Sequence, residues 1–303
     1  MRYAQTIVFL FGVFLFATAG NAWNKHGTLN TNCNNAPAIT IVPSYDSSFT
    51  SDPQYATLNS AVQAVVAELE ATVFVNTTVN VYYYAGSTAN TQCGGGLSCS
   101  DPDPCTTNPT YAQYVSALTA NAKTTTAQSA VASLPASDPH SGFTWYPARA
   151  ACKALGLQAS DGSNDGEAFI NSHSYNFFYP PSSPTSGKYD AYGVVFHETT
   201  EAMGRQIYNG GANAYDILDE YQFSAANTRA TPNATRYYST NNGVTALSNF
   251  NTSPTEDPMD WNGAQGADSF NANVSADTTL PYSPTDQKVV DTLGFPAACG
   301  SSY

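Results

Sequence analysis

Apolar residues in the first third of the chain follow the spacings of strands and of a helix. Residues 38–45 (AITIVPSY) and 77–86 (TTVNVYYYAG) are rich in β-branched and aromatic residues, which is typical of strands. Between them, residues 58–73 carry Leu and Val at intervals of three and four residues. This is the period of an amphipathic helix, and Asp52 and Pro53 are suitable residues for its beginning.

The remainder of the chain contains one more predicted strand and several predicted helices. Residues 85–109 are rich in Gly, Cys and Pro, which predicts a loop, whereas residues 166–179 (GEAFINSHSYNFFY) alternate as a strand does. The predicted helices cover residues 111–123, 147–157, 191–205 and 283–296. Strands and helices are mixed before the helix at 191–205, and loops dominate after it. We therefore expect an α+β fold with a cleft between two unequal lobes.

The first 22 residues have the features of a signal peptide. Arg2 precedes the apolar run IVFLFGVFLFATAG, and small residues follow. The alternative is a membrane anchor, but the run is shorter than a membrane span and no second apolar run follows. We expect a secreted protein with one domain over residues 23–303. Its N-terminal lobe covers about residues 23–205 and its C-terminal lobe about residues 206–303.

The chain is acidic, with 23 acidic and 10 basic residues and a formal net charge of −13. Binding to nucleic acid or to anionic membranes depends on clustered Lys and Arg, so we expect neither as a partner. Once the signal peptide is removed, we expect a monomer that does not bind a membrane.

Six cysteines remain in the mature chain, an even number that predicts up to three disulfides in an exported protein. The short segment CGGGLSC favours a bridge between Cys93 and Cys99, and a bridge between Cys33 and Cys299 would join the two ends. The alternative is a zinc site made of thiolates, but no CxxC pair occurs. The other pairings stay open at this stage.

The segment VVFHETTEAMGR, residues 194–205, carries the main candidate chemistry. On a helix, His197 and Glu201 lie one turn apart on the same face, so an imidazole nitrogen and a carboxylate oxygen can bind one metal ion. Glu198 lies about 100° around the helix axis from His197. From there it can take a proton from a water molecule beside the ion. The alternative is a solvated face of an ordinary amphipathic helix.

HETTEAMGR resembles the HEISEVMGR helix of a family of exported bacterial proteins classed as metalloproteases. The likeness covers most of the mature chain: ARAACKALGL, DEYQFSAANTR, RYYSTNNGVT, DPMDW and SPTDQKVVDTLGF each resemble a family motif in the same order. The helix is also distantly similar to that of the metzincin proteases, HExxHxxGxxH. This resemblance implies an α+β, zincin-like (metzincin-like) fold. Such a fold has a mixed sheet, an active-site helix and a loop-rich C-terminal lobe closed by a helix.

The resemblance also implies roles for individual residues. His197 is the first metal ligand, Glu198 is the general base and Gly204 turns the chain after the helix. Glu201 stands where metzincins have their second histidine. The third histidine of that motif would fall at Ile207, which cannot bind a metal.

The third ligand therefore has to come from another part of the chain. We expect Asp219, which matches an aspartate of the family in DEYQFS. Glu220 is an alternative, because its distance from Glu201 is similar to the ligand spacing of gluzincin proteases, and His173 is another. Asp219 and Glu220 are also suited to cap a helix or a turn.

Three further segments have expected roles. Asp260 and Trp261 in DPMDW are predicted to form a structural turn. Arg205 is predicted to pair with a carboxylate behind the metal ligands, and the alternative is that it only neutralises the end of the helix. The strand at GEAFINS, residues 166–172, is predicted to line the cleft and to pair with an extended peptide.

Together these features predict a secreted zinc-dependent endopeptidase that acts on a protein or peptide substrate. Zn²⁺ is the expected ion, and a ligand set rich in carboxylates would also accept another divalent ion such as Mn²⁺ or Ca²⁺. The alternative is a catalytically inactive zincin-fold protein that acts as a secreted binding or surface protein, because the HxxGxxH continuation is absent. A third possibility is a metal that stabilises structure without turnover.

Overall fold

The structure, a computed structural model, describes residues 37–232 and 234–297. The predicted signal peptide at 1–22 and the predicted Cys33–Cys299 bridge lie outside the described residues, so both stay predictions. No helix within the described ranges is long and apolar enough to cross a membrane.

The described residues form an α+β fold with eight α-helices. The helices are α1 (Ser47–Thr50), α2 (Tyr55–Thr72), α3 (Gly86–Gln92), α4 (Tyr111–Asn121), α5 (Thr125–Ser133), α6 (Arg149–Ala154), α7 (Ala191–Ala202) and α8 (Pro284–Thr292). The strands are β1 (Thr40–Tyr45), β2 (Thr78–Ala85), β3 (Ser98–Pro102), β4 (Thr144–Trp145), β5 (Gly166–Ile170), β6 (Phe177–Phe178), β7 (Tyr189–Asp190), β8 (Ala214–Tyr215), β9 (Gln222–Ala225), β10 (Thr228–Arg229), β11 (Tyr237–Tyr238) and β12 (Ser248–Asn249).

The main sheet is mixed, as predicted, and has the strand order β1-β2-β5-β3. β1, β2 and β5 are parallel, and β3 runs antiparallel to β5 at the edge. Along β2, residues alternate between half-buried and buried, because successive side chains of a strand point to opposite faces. The buried residues of β2, such as Val81 and Tyr83, belong to the hydrophobic core.

Helices α2 and α7 pack against each other, and α7 also lies along β5 and β3. The leucines and valines that predicted α2 are buried, as an amphipathic helix on a sheet requires. The hydroxyls of Tyr83 on β2 and Thr199 on α7 are hydrogen-bonded at 2.8 Å inside the core. Close packing continues at Gly193, where an added Cβ would lie 2.3 Å from Cβ of Leu280. These contacts fix α7 between the sheet and the C-terminal part of the chain.

The C-terminal part is rich in loops, as predicted, and contains a small sheet of order β10-β9-β11-β12. Helix α8 closes it. Ser283 and Asp286 form a capping box at the start of α8, and Pro284 occupies the first turn, where it removes no needed hydrogen bond. Gly294 follows the helix with a φ of 102°, a conformation that a glycine adopts without strain.

Three sequence predictions are corrected. The predicted loop at 85–109 contains α3 and β3, because the small polar residues of an edge strand do not give the pattern of a buried one. The predicted strand at 166–179 ends at Ile170, where the chain turns and Tyr175 N–H donates to the Asn171 carbonyl. The motif helix α7 ends at Ala202, and Gly204 with a φ of 122° turns the chain.

Among the described residues, two disulfides join segments of the N-terminal part. The predicted bridge between Cys93 and Cys99 is confirmed, and it joins the residue that follows α3 to β3. A second bridge joins Cys105 to Cys152 on α6. Disulfides of this kind are typical of proteins from oxidising compartments.

Candidate metal centre

Helix α7 presents His197 and Glu201 on one face, as their spacing predicted. Nε2 of His197 lies 3.0 Å from Oε1 of Glu201 and 3.4 Å from Oδ1 of Asp260, which belongs to the loop after the small sheet. The three ligand atoms all lie within 4.8 Å of one another. In the part of the chain that the structure describes, this is the single group of three or more such side chains that could hold a metal ion.

The ring of His197 is fixed by two contacts. Its Nδ1 lies 2.8 Å from the backbone carbonyl of Ser269, and because a carbonyl can only accept, Nδ1–H is the donor. The ring also stacks on Phe270, with centroids 4.8 Å apart and planes 19° apart. In the neutral ring, the lone pair of Nε2 then points toward the two carboxylates. Such a bond on the far nitrogen is typical of histidines that bind metals.

The carboxylate oxygens that face Nε2 are buried, and apart from that nitrogen neither has a hydrogen-bond partner within the described residues. These atoms are Oε1 of Glu201 and Oδ1 of Asp260. The other oxygen of Glu201 accepts a hydrogen bond of 3.0 Å from Ser100 Oγ on β3, which orients the carboxylate. Buried carboxylate oxygens without donors carry a large free-energy cost unless a cation compensates them. One imidazole nitrogen and two carboxylate oxygens fit the ligand preferences of Zn²⁺.

Burial and neighbouring charges shift the pKa values of His197, Glu198 and Asp260. Burial lowers the pKa of His197, but the charges of Glu201, Asp260 and Glu198 raise it more, so the net pKa lies well above the ordinary value. Burial raises the pKa of Glu198 and that of Asp260 well above the ordinary carboxyl range, and His197 opposes both shifts. The group therefore has a strong tendency to gain a positive charge, from protons or from a metal ion.

Glu198 lies beside this group without belonging to it. The residue is only 2% exposed. Its Oε2 is buried without a hydrogen-bond partner in the described chain, and its carboxyl is close enough to Ser98 on β3 for a hydrogen bond. A buried carboxyl beside a candidate metal centre has the position that a general base requires.

The structure does not bring Asp219 to His197 and Glu201, so the third member of the group differs from the sequence prediction. The oxygens of Asp219 accept backbone N–H groups of Tyr208 at 3.2 Å, Asn209 at 2.7 Å and Asp216 at 2.7 Å. Asp219 caps the 3₁₀ turn Ile217–Tyr221, which is the alternative role that its sequence position allowed.

The two other candidates for the third ligand, Glu220 and His173, are also not in the metal group. Glu220 lies 2.7 Å from Nε2 of His140 and 3.3 Å from Nε of Arg229. His173 is exposed in the turn after β5 and is not in the group. Asp260 takes the place expected for Asp219, although its segment was predicted to be only a structural turn. The sequence feature that could have pointed to Asp260 is the DPMDW motif, which is one of the segments that carry the family resemblance.

Arg205 meets a carboxylate behind the ligands, as predicted. Its Nη1 donates to Oδ1 of Asp286 at 3.1 Å, and both side chains are fully buried.

Comparison of the chain with protein families, with curated proteins and with solved structures finds no match.

Proposed function

We propose that His197, Glu201 and Asp260 hold one divalent metal ion, with zinc as the first candidate, and that the protein is a secreted metal-dependent endopeptidase. The observation that carries this proposal is the pair of buried carboxylate oxygens that face Nε2 of His197 and have no other hydrogen-bond partner in the described residues. A protonated imidazole could neutralise them in part. Two carboxylates together, however, match the charge of a divalent ion.

The chemistry divides between the ion and the protein side chains. A bound zinc ion supplies Lewis acidity, which lowers the pKa of a water molecule and polarises a substrate carbonyl. Glu198 accepts the proton of the attacking water and passes it to the leaving amine. His197 and Ser100 keep the ligand set oriented through the contacts to Ser269 and Glu201.

The edge strand β3 offers a binding edge for an extended peptide. Asn171 N–H donates to the Leu97 carbonyl and Asp103 N–H to the Asp165 carbonyl, so the hydrogen-bonded pairs fall at odd positions along β3. The backbone groups of Ser98 and Ser100 therefore point away from β5. Within the described residues, β3 pairs with no other strand of the sheets. The strand at 166–172, expected in this position, is instead the inner strand β5.

The proposed ligand set affects the expected rate. Two carboxylates and one imidazole cancel the charge of a divalent ion, so they leave the nearby water less acidic than three neutral histidines would. We expect slower hydrolysis, or a higher pH optimum, than for a site of three histidines. A pH–rate profile like that of a three-histidine zinc protease would contradict this ligand set.

A second candidate is a metal centre that stabilises the fold without turnover. Its support is the burial of the ligands: the side chains of His197, Glu201 and Asp260 are 12%, 2% and 7% exposed. Structural metal sites are closed in this way, whereas catalytic sites keep a position open for water or substrate.

One set of measurements separates these functions. Elemental mass spectrometry of the purified protein, supplied with zinc, is expected to find about one zinc per chain in the parent and in Glu198→Gln, and none in Glu201→Ala. Cleavage of an unfolded protein substrate is expected for the parent alone. Zinc without cleavage by the parent would indicate the structural centre. A parent without zinc or any other divalent metal at about one ion per chain would refute both metal candidates and favour an inactive binding or surface protein.

A further inference from the structure

Arg205 follows α7 and is held by four contacts in the core. Its guanidinium carbon lies 3.3 Å from the ring centroid of Phe270 and 4.5 Å from that of Trp261. Nη1 donates to Oδ1 of Asp286 at 3.1 Å, and Nη2 donates to the Met259 carbonyl at 3.3 Å. A planar guanidinium with two directed hydrogen bonds and two aromatic contacts is confined to one orientation.

Two of these contacts reach the chain neighbours of Asp260. Met259, whose carbonyl accepts from Arg205, precedes Asp260 in the chain, and Trp261, whose ring lies against the guanidinium, follows it. The indole Nε1 of Trp261 also donates at 2.8 Å to Oδ1 of Asp286, the oxygen that pairs with Arg205. The backbone on both sides of Asp260 is therefore tied to one buried ion pair.

A third contact reaches the support of His197. Phe270 touches the guanidinium and stacks on the His197 ring, and the preceding residue, Ser269, supplies the carbonyl that accepts from His197 Nδ1. Residues 261 and 270 are themselves joined, because Trp261 N–H donates to the Phe270 carbonyl at 2.7 Å. The segments that carry Asp260 and Ser269 thus converge on the same side chain.

We propose that Arg205 is the positioning residue of the metal centre, an inference that rests on the proposed function. Helix α7 places His197 and Glu201 by itself, since both lie on its own backbone. Asp260 and the Ser269 carbonyl come from loops, and Arg205 joins these loops to the end of α7. A lysine cannot take this role, because its single ammonium group lacks the planar fork and stacks less well on aromatic rings.

Arg229 provides a matched control elsewhere in the fold. It also pairs with a carboxylate, Glu220, at 3.3 Å, donates to a backbone carbonyl, that of Ser133, and lies 4.9 Å from the centroid of an aromatic ring, Phe223. None of these partners belongs to the metal group. Arg229→Lys and Arg205→Lys therefore remove the same kinds of contact at two different places.

The test compares zinc affinity in the parent, Arg205→Lys and Arg229→Lys, by competition with a chromophoric zinc chelator well below the unfolding temperature of each. Both substitutions are expected to lower thermal stability. Only Arg205→Lys is expected to weaken zinc binding, by about 10- to 100-fold, the usual effect of removing a group that orients metal ligands. Zinc affinity in Arg205→Lys equal to that of the parent or of Arg229→Lys would overturn the inference and leave the metal centre intact.

Two further outcomes are also decisive. A parent that binds neither zinc nor another divalent ion overturns the proposed metal centre and this inference together, which distinguishes it from the previous result. If Arg205→Lys does not fold, Asp286→Asn replaces it, because this change removes the charge that holds the guanidinium and keeps the side-chain size. A weaker zinc affinity in Asp286→Asn is expected, and an unchanged affinity would overturn the inference.

Discussion

The substitution Asp260→Asn tests which carboxylate completes the metal centre. Asparagine has the size of aspartate but no negative charge, so it is a poor ligand for zinc. Without metal, the change is expected to alter stability little. The folded protein loses an attraction between Asp260 and His197, but it also loses the repulsion from Glu201 and the cost of burying a charge.

The magnitude with metal follows from linkage. Free zinc held at about 1,000 times the dissociation constant stabilises the folded parent by about 4.1 kcal/mol. Unfolding entropy of about 2.1 cal/mol/K per residue gives about 0.6 kcal/mol/K for a chain of this length, so zinc is expected to raise the unfolding temperature by about 7 °C. If Asp260→Asn weakens binding about 100-fold, the same zinc concentration stabilises the variant by about 1.4 kcal/mol, or about 2 °C.

The assay is thermal unfolding by differential scanning calorimetry in a zinc buffer and in a strong chelator, for the parent, Asp260→Asn and Asp219→Asn. Asp219→Asn is the matched control, because Asp219 is equally a buried aspartate but caps a 3₁₀ turn. It is expected to lower stability in both buffers and to keep the full zinc-dependent shift. A full shift in Asp260→Asn, or loss of the shift in Asp219→Asn, would refute the assignment of Asp260.

Three further predictions concern stability. Burial raises the pKa of Asp216 to about 8, so the folded protein keeps a proton that the unfolded chain releases near its ordinary value. Between about pH 4 and pH 8 this carboxyl makes stability fall as pH rises, by up to about 1.4 kcal/mol per pH unit. Asp216→Asn should flatten the dependence of urea unfolding on pH, and an unchanged slope would contradict the shift. Gly193→Ala is expected to lower stability by about 1–3 kcal/mol through overpacking, with little change for Gly162→Ala, whose added Cβ meets nothing within 4 Å. Equal unfolding temperatures for these two variants would exclude a close contact at the first glycine. Replacing both Cys105 and Cys152 with serine, which opens a bridge of sequence separation 47, is expected to cost about 4 kcal/mol in urea unfolding. A loss below about 1 kcal/mol would indicate that the bridge does not constrain the unfolded chain.

The elements that were predicted correctly are those whose own residues carry the pattern of a helix or a strand. The Leu and Val spacing of α2 and the β-branched residues of β1 and β2 follow from periodicity, because one side of each element has to be buried. The cap residue of α8, Ser283, and the stop after it, Gly294, are equally local. The edge strand β3 was missed, because its polar sequence resembles a loop and its pairing partner β5 is far away in the chain.

Local sequence specifies the half of the candidate centre that lies on one helix. The i and i+4 spacing of His197 and Glu201 places them on one face of any α-helix, and Glu198 follows from the same geometry. The identity of the third member follows from long-range packing. Asp219 and Asp260 are both buried aspartates outside the α-helices, but the first accepts backbone N–H groups and the second faces His197. The path of the chain between elements decides which carboxylate meets the helix, and local sequence does not encode that path.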